Sequence, residues 1–353
     1  MPLPENTPRS KLEIAFLIFF IPIVIAFYLI YKYPLWFADS SDAFYLFGKQ
    51  PSFWYMSLYT LLVSGTCLWL LVRNVNAYSI KKNPEPLNKY QKGKFTAIFF
   101  SQTFAFYLIP FVILPFMNGA EFWSDPAKMP VKTAHVYLWP AFTSVGVALY
   151  VFVFISVIVY FFGKRYCSWF CSCGNLAETV GVTPWGRRWV RKYTPRSEKS
   201  RKLEIIQRIW MVFAIITGII LLMDALNFAG AENVAGQVRA TQDFITDLIF
   251  GSLIGVGFYP FLGTRIWCRY GCPLAGWMHV LGQKINTRFR VEANDKCRGI
   301  GQCTTTCPMG IPVEDFAHKD KQPIQGSFGL DESPCIGCGG CISACPTKAL
   351  SFR

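Results

Sequence analysis

Seven cysteines lie close together near the C-terminal end of the chain. Three fall in Cys297–Pro308, and four fall in Cys335–Pro346 with the spacing C-x2-C-x2-C-x3-C-P. Thiolates at such spacings bind iron–sulfur clusters or zinc, or pair as disulfides. A zinc ribbon needs two well-separated C-x2-C pairs, whereas the second group crowds four cysteines together and the first has no such pair. The pattern therefore favours iron–sulfur ligation.

The second group resembles the motif of bacterial two-cluster ferredoxins, and this resemblance implies the ligand sets. In that motif the fourth cysteine of each run binds the other cluster. A complete [4Fe–4S] cluster is then expected on Cys335, Cys338, Cys341 and Cys307. A second cluster is expected on Cys297, Cys303 and Cys345.

Ile300 stands where the fourth ligand of the second cluster belongs. Because an aliphatic side chain does not coordinate iron, we expect a [3Fe–4S] cluster there, or a [4Fe–4S] cluster with one labile iron. This form of the motif resembles the three-iron motif of the succinate dehydrogenase iron–sulfur subunit, which informs the cluster type only. Three glycines around Cys338, namely Gly337, Gly339 and Gly340, are expected to let the backbone approach a cluster closely.

The composition is that of a membrane protein. Of the 353 residues, 52% are apolar and only 16% are charged, against about 25% charged in soluble domains. The formal net charge of +14 is attributed below to membrane topology, so no nucleic-acid partner is expected. The many cysteines in cluster-like spacings place the metal-binding parts in a reducing compartment.

Six apolar segments long enough, or nearly so, to span a bilayer precede the cysteine-rich region. They are Ile14–Tyr31, Phe53–Val72, Phe95–Phe116, Val136–Gly163, Ile205–Leu226 and Phe244–Gly263. The fourth contains Pro140 and is expected to be kinked, tilted or partly outside the membrane. The predicted fold is mainly α: a polytopic membrane helical bundle at residues 1–290 and a small α+β two-cluster ferredoxin-like domain, the tail, at residues 291–353.

Basic residues are concentrated in the loops between spans two and three and between spans four and five. Since Lys and Arg accumulate on the cytoplasmic side, both termini and the tail are predicted to be cytoplasmic, in a prokaryotic inner membrane. Within the second of these loops, Trp185–Tyr193 mixes aromatic and basic residues. We expect this stretch to contact lipid headgroups, and a docking face for an acidic partner is the alternative.

The fourth and sixth spans are each followed by a glycine, a basic residue and a C-x3-C pair. If each pair formed one helical turn, its two cysteines would share a face, and both pairs would lie at the same side of the membrane. Four converging thiolates predict a third iron–sulfur cluster, on Cys167, Cys171, Cys268 and Cys272. The alternatives are packed helix-end cysteines or metal-free redox dithiols, and Cys173 is an alternative ligand.

The spans, the paired C-x3-C motifs and the ferredoxin-like tail resemble the NapH and NosR group of membrane iron–sulfur proteins, which includes the CcoG-type accessory proteins. The resemblance implies quinol oxidation with electron delivery, or maturation of a redox enzyme. Two departures from the family pattern are Ser172, where a proline would follow the first pair, and Ile300.

Histidine is scarce: the chain has His135, His279 and His318. A bis-histidine haem b is not expected, because only His135 lies at the start of a span. With its near-neutral pKa, His135 is predicted to accept a proton from a bound quinol, and an interfacial histidine bonded to backbone or lipid is the alternative. His279 is expected to pack beside the second C-x3-C pair.

We therefore predict a membrane electron-transfer protein that relays single electrons between the quinone pool and a redox partner. The expected partners are membrane lipid, quinone, and other redox subunits or a soluble electron carrier. An accessory protein for maturing an oxidase or reductase, and a wiring subunit of a larger respiratory complex, are the alternatives. No substrate-converting active site is identified, so enzymatic activity is left open, with a quinol-oxidising subunit as one form of it.

Overall fold

The structure is a computed structural model of the chain. It describes residues 10–39, 41–79, 85–119, 137–183, 186, 194–228, 230–320 and 322–353. The longer helices are α1 (Lys11–Lys32), α2 (Pro51–Arg73), α3 (Lys89–Met117), α4 (Val145–Ala148, Leu149–Phe154 and Ile155–Phe162 in succession), α5 (Tyr166–Trp169), α6 (Ser172–Glu178), α7 (Ile205–Ala225), α8 (Ala231–Phe244, continued by Ile245–Gly257) and α9 (Pro273–Lys284).

Short helical turns connect these helices. They are Pro34–Trp36, Ser41–Phe44, Pro140–Thr143, Gly163–Arg165, Val180–Val182, Glu198–Lys202, Tyr259–Leu262, Trp267–Gly271 and Val313–Phe316. The tail adds helices α10 (Gln302–Thr306) and α11 (Gly340–Ala344). Its strands are β1 (Val291–Ala293), β2 (His318–Lys319), β3 (Gln322–Pro323), β4 (Ser327–Phe328) and β5 (Leu350–Phe352).

The predicted mainly helical membrane bundle is confirmed. Five helices in the described part of the chain are long and apolar enough to cross a membrane, and the sixth predicted span falls on the second half of α8 and the turn after it. Helix α1 shows the physical reason, because large apolar side chains such as Leu12, Phe19 and Ile23 point outward, with exposed fractions of 75%, 70% and 65%. A helix that is apolar on all sides is suited to lipid.

Two spans differ from their predicted bounds for local reasons. Helix α3 begins at Lys89 rather than at the first apolar residue, since Asn88 caps it by accepting a hydrogen bond from the backbone N–H of Gln91 (2.8 Å). The fourth span is interrupted before α4 by the extended residue Ser144 (φ −142°). The turn Pro140–Thr143 is thereby separated from α4, and the break lies after this turn, whereas Pro140 stands at its first position, where a proline is tolerated.

The tail is built as an internal repeat around a small antiparallel sheet in the order β4-β1-β5, and β2 pairs with β3. Each cysteine group contains one short helix, α10 or α11. Before each helix stands a glycine with positive φ, Gly301 (74°) or Gly339 (70°), and after it an extended cysteine, Cys307 or Cys345. The two groups therefore have the same local backbone, although only the second has all four cysteines.

The tail packs directly on the ends of the membrane helices. One buried core runs through both parts and includes Val159 of α4, Met278 of α9 and Phe328 of β4. The contact is close, because a Cβ atom on Gly337 would lie 2.6 Å from Arg165 Cγ, and one on Gly339 would lie 2.8 Å from the Tyr90 ring. Because they have no side chain, these glycines allow the helix bundle to contact the cysteine loop closely. The division at residue 290 stays a prediction.

Candidate metal centres

The cysteines assigned to the first tail cluster surround one cavity. Cys307, Cys335, Cys338 and Cys341 are all free thiols and at most 9% exposed. They line one pocket together with apolar side chains such as Phe328. The structure thus brings together three cysteines of the second group and one of the first, the combination that the ferredoxin motif implied. We call these four residues the four-cysteine site.

The protonation of these thiols depends on what they bind. Burial raises the pKa of Cys335 to about 12 and that of Cys338 to about 11. Without a cation both side chains would be neutral at pH 7. Thiolates are the form that ligates iron, so cluster binding at this site would release protons.

The three-cysteine site, formed by Cys297, Cys303 and Cys345, lies nearer the surface. Cys303 is buried, whereas Cys297 and Cys345 are partly exposed. Burial raises the pKa of Cys303 to about 12, and the charges of Glu314 and Cys345 add to this effect, so Cys303 and Cys345 lie close together. The Ile300 side chain is 51% exposed. The structure therefore offers three thiols here and an aliphatic side chain at the fourth position.

The two C-x3-C pairs converge. Cys167, Cys171, Cys268 and Cys272 are free and between 3% and 7% exposed, and Cys167, Cys171 and Cys272 belong to one buried cluster of side chains. Burial raises the pKa of Cys272 well above its usual value, with further contributions from the charges of Cys268, Cys171 and Cys167. This mutual effect shows that the four side chains lie together. We call them the boundary site.

The expectation that each C-x3-C pair forms one helical turn is wrong. Cys167 lies in α5 and Cys268 in a separate turn, but Cys171 and Cys272 have extended backbones and start the next helices, α6 and α9. The Cys272 sulfur accepts a hydrogen bond from the backbone N–H of Ala275 (3.4 Å). The second cysteine of each pair therefore lies at a break between two helices, outside the helical turn that holds the first cysteine.

Cys173 remains an open alternative at the boundary site. Its side chain is exposed, and its hydrogen bond to Cys171 lowers the pKa of Cys171 to about 7. Among the described residues, no group of three or more His, Cys, Asp or Glu side chains is spaced to hold a single metal ion. Ligands of an iron–sulfur cluster lie farther apart, because each thiolate binds a different iron atom.

A buried ion network connects the boundary site with the four-cysteine site. The Glu178 carboxylate forms ion pairs with Lys94 Nζ (2.7 Å) and with Arg265 Nη2 (2.6 Å). All three residues are at most 1% exposed. Lys94 also donates to the carbonyl oxygen of Cys338 (3.2 Å). Arg265 donates to the Cys167 carbonyl oxygen (3.0 Å) and contacts the Cys268 sulfur (3.6 Å).

This ion network was not predicted from the sequence. A signal was available, because Glu178 is the only acidic residue between Lys164 and Ser197, a strongly basic stretch. An isolated carboxylate among many cations often has a buried partner rather than a place in a solvated loop.

Lys164 tests whether these sites suit an anionic cofactor. It is fully buried, and its Nζ has no hydrogen-bond partner among the described residues. Its charge acts on Cys167, Cys268 and Cys335. A buried ammonium group without a partner is costly, so a set of thiolates carrying iron and sulfide would satisfy it. The residues present therefore fit an iron–sulfur cluster.

Several predicted residues lie elsewhere. His135 and most of Trp185–Tyr193 lie outside the described residues. His279 is buried in α9, and burial together with the charges of Lys164 and Arg208 lowers its pKa to about 3, so it is neutral. Cys67 is fully buried in α2, in a side-chain cluster separate from that of the boundary site.

Comparison with known families gives matches at the same places. A 4Fe-4S binding domain matches residues 329–351, which include the second cysteine group. Another 4Fe-4S binding domain matches twice, at residues 145–193 and 244–292. These two segments contain the two C-x3-C pairs, in agreement with the repeat seen in the sequence.

Curated relatives are similar over larger parts of the chain. The ferredoxin-type protein NapH of Haemophilus influenzae is 24% identical over 65% of this chain and 74% of its own. YccM of Escherichia coli, named for electron transport, is 27% identical over 58% of this chain. The aligned region spans about half of YccM (54%). NAD(P)H-quinone oxidoreductase subunit I of Gloeobacter violaceus is 38% identical over 20% of this chain and 34% of its own. No solved structure matches the chain.

Proposed function

Because the chain is a relative of the NapH-type membrane ferredoxin proteins, we propose that it transfers single electrons between the membrane and a redox partner. Iron–sulfur clusters would supply this chemistry, since they exchange one electron at potentials tuned by ligation, hydrogen bonds and exposure. The carrying observation is the Glu178 network, which touches both the boundary site and the four-cysteine site. Adjacent cofactor sites are what an electron relay needs.

We propose one iron–sulfur cluster for each of the three cysteine sites. The four-cysteine site would hold a [4Fe–4S] cluster, and the boundary site would hold a second one. The three-cysteine site would hold a [3Fe–4S] cluster or a [4Fe–4S] cluster with a labile iron, because Ile300 supplies no ligand. The buried apolar walls would exclude water from the first two sites. The partly exposed Cys297 and Cys345 make the three-cysteine site the point nearest to a partner.

The boundary site decides whether the relay reaches the membrane. Replacing Cys167, Cys171, Cys268 and Cys272 together by serine should lower the iron content by one cluster and leave the tail clusters visible by EPR. Cys67→Ser is the matched control, since Cys67 is equally buried but lies in a separate side-chain cluster, and it should not change the iron content. An unchanged iron content in the fourfold variant would refute the assignment.

We further propose quinol as the membrane-side substrate, with His135 as the proton acceptor. Support comes from a described neighbour, Tyr137, which donates a hydrogen bond to Asp247 (2.6 Å). This contact places the Asp247 carboxylate beside Tyr137, which follows His135 by two residues in the sequence. A soluble quinol analogue should reduce the clusters of the purified protein, and His135→Ala should slow that reduction. Equal rates in both proteins would remove His135 from the proposal.

The redox partner is proposed to be another subunit or a soluble carrier. Subunit I of the Gloeobacter enzyme is by name a subunit of a quinone oxidoreductase, and its similarity is confined to 72 residues. A wiring subunit of a larger complex is therefore the second candidate. If the clusters are reduced only when a partner enzyme is present, and not by the quinol analogue alone, this second candidate is favoured.

A further inference from the structure

The buried cations near the cysteine sites differ in one respect. Lys94 and Arg265 both pair with Glu178, and Arg269 pairs with Glu204 (2.7 Å). Lys164 is also fully buried, but among the described residues its Nζ has neither a hydrogen-bond partner nor an anionic one. Burying an unpaired ammonium group is costly, because the group loses its hydration and gains no partner in return. Of these four fully buried cations of the described residues, Lys164 is the one that bears this cost.

Lys164 lies near both the boundary site and the four-cysteine site. It stands in the turn Gly163–Arg165, three residues before Cys167 of the boundary site. Its charge acts on Cys167 and Cys268 of that site and also on Cys335 of the four-cysteine site. By contrast, the groups that act most on Cys303 of the three-cysteine site are Thr304, Glu314 and Cys345. Lys164 therefore faces two of the three sites.

Resting on the proposed function, we infer that Lys164 is a positioning residue whose charge is shared by the boundary cluster and the [4Fe–4S] cluster of the tail, and raises both reduction potentials. The physical reason is the change of charge on reduction. Each reduced cluster carries one more negative charge than the oxidised cluster, and a buried cation nearby stabilises the reduced form more strongly. A single lysine then keeps the potentials of two neighbouring centres in step.

The neighbouring pairs do not replace this charge. Glu178 carries one negative charge and pairs with two cations, so the Lys94–Glu178–Arg265 network has a net charge of +1 that is spread over three side chains, with the carboxylate in contact with both cations. Glu204 compensates Arg269. Of these four cations, Lys164 is the one that pairs with no carboxylate in the described structure, so no carboxylate in direct contact reduces its effect on the two clusters.

The test is a redox titration followed by EPR on the detergent-purified full-length protein. In Lys164→Met, we expect the ratio of reduced to oxidised protein at the wild-type midpoint to fall about tenfold for both clusters, which is about 59 mV for a one-electron couple. The three-cysteine site serves as an internal reference and should keep its potential. Lys164→Arg retains the charge and should restore wild-type values at both clusters.

Lys202→Met is the matched control, because the Lys202 side chain is 76% exposed and pairs with Glu198; its loss should leave all three potentials unchanged. Loss of both clusters from Lys164→Met, with full loading of Lys164→Arg, would also support the inference, since charge is what the arginine keeps. Loaded Lys164→Met protein with an unchanged potential at either cluster would overturn it. Absence of iron at the wild-type boundary site would instead refute the proposed function.

Discussion

At the scale of single residues, the cysteine sites are surrounded by charges that the fold has buried. Lys94, Lys164 and Arg265 would each be costly to bury alone. Two of them, Lys94 and Arg265, form ion pairs with the single carboxylate of Glu178, at 2.7 Å and 2.6 Å. In a low-dielectric interior such pairs are held strongly in place. The network thus fixes the positions of the Cys338 carbonyl and the Cys268 sulfur relative to each other.

Removing the carboxylate of Glu178 should therefore be destabilising. Glu178→Gln leaves Lys94 and Arg265 buried without their anion, and breaking such a pair costs about 3–5 kcal/mol. Thermal and denaturant unfolding in detergent would measure the loss. Glu198→Gln is the control, because Glu198 pairs with Lys202 on the surface and its loss should cost only about 0.3–0.5 kcal/mol. Equal stability of the two variants would contradict a structural role for the network.

The same residue predicts a pH dependence. Burial alone would raise the pKa of Glu178, but the charges of Lys94 and Arg265 outweigh it and lower the pKa from 4.5 to about 2. A depressed pKa stabilises the fold above the unfolded-state value and loses that effect as the pH falls through the folded one. Stability should thus decline between about pH 4.5 and 2. In Glu178→Gln this part of the decline should be absent, as unfolding measured across that range would show.

Ile300 gives the third prediction at this scale. The backbone around it repeats that of Cys338, with positive φ at Gly299 (61°) and Gly301 (74°), as at Gly337 (59°) and Gly339 (70°). Ile300→Cys should therefore complete the three-cysteine site and add one iron per protein. The oxidised wild-type protein should show a three-iron EPR signal that this variant lacks. Ile300→Ser, which supplies no thiolate, is the control; the absence of a three-iron signal from the oxidised wild type would contradict the prediction.

At the scale of elements, the sequence predicted what depends on local pattern. Apolar runs located α1, α2 and α7 to within a few residues, because a span must be apolar throughout. The sequence shows the C-x3-C repeat, but it does not predict the extended backbone of the second cysteine in each pair. Whether Cys171 continues one helix or starts the next depends on contacts with residues far away in sequence.

The sequence pattern does not distinguish exposed cations from buried ones. Lys94 and Lys164 were counted as loop cations that report topology, yet the structure buries both completely. A lysine in a basic loop looks the same in sequence whether it faces water or a buried carboxylate. Only the fold, which brings Glu178 to Lys94, distinguishes the two.

Docking of the tail on α3 predicts an effect at Gly339. Gly339→Ala would place a Cβ atom 2.8 Å from the Tyr90 ring at a φ of +70°. Gly48→Ala is a matched control, since Gly48 has the same φ of +70° but no atom within 4 Å of its Cβ position. Both variants lose the left-handed freedom of glycine, at about 1–2 kcal/mol. Gly339→Ala should in addition speed hydrogen exchange in α11, and equal exchange in the two variants would contradict the docking argument.

At the scale of the whole molecule, the tail and the membrane bundle share one hydrophobic core, and the tail packs on one end of the bundle. Residues of the basic loops hold the tail directly: Asn76 donates to the Ser343 carbonyl oxygen (2.8 Å), and Arg196 donates to that of Thr305 (2.8 Å). Ser168 donates to the carbonyl oxygen of Ile336 (2.7 Å). The boundary site lies at this junction. The tail and the basic loops are therefore on one side of the membrane.

This arrangement makes the topology testable from either part. If the positive-inside rule holds, both termini and the tail face the cytoplasm. A reporter that fluoresces only in the cytoplasm, fused after Arg353, should be active, and one inserted at Gly48, in the loop between α1 and α2, should be inactive. The insertion at Gly48 is the control for expression and folding, because no atom lies within 4 Å of its Cβ position. An inactive C-terminal fusion with an active Gly48 insertion would reverse the orientation and place the clusters on the oxidising side, where their thiolates would be exposed to disulfide formation.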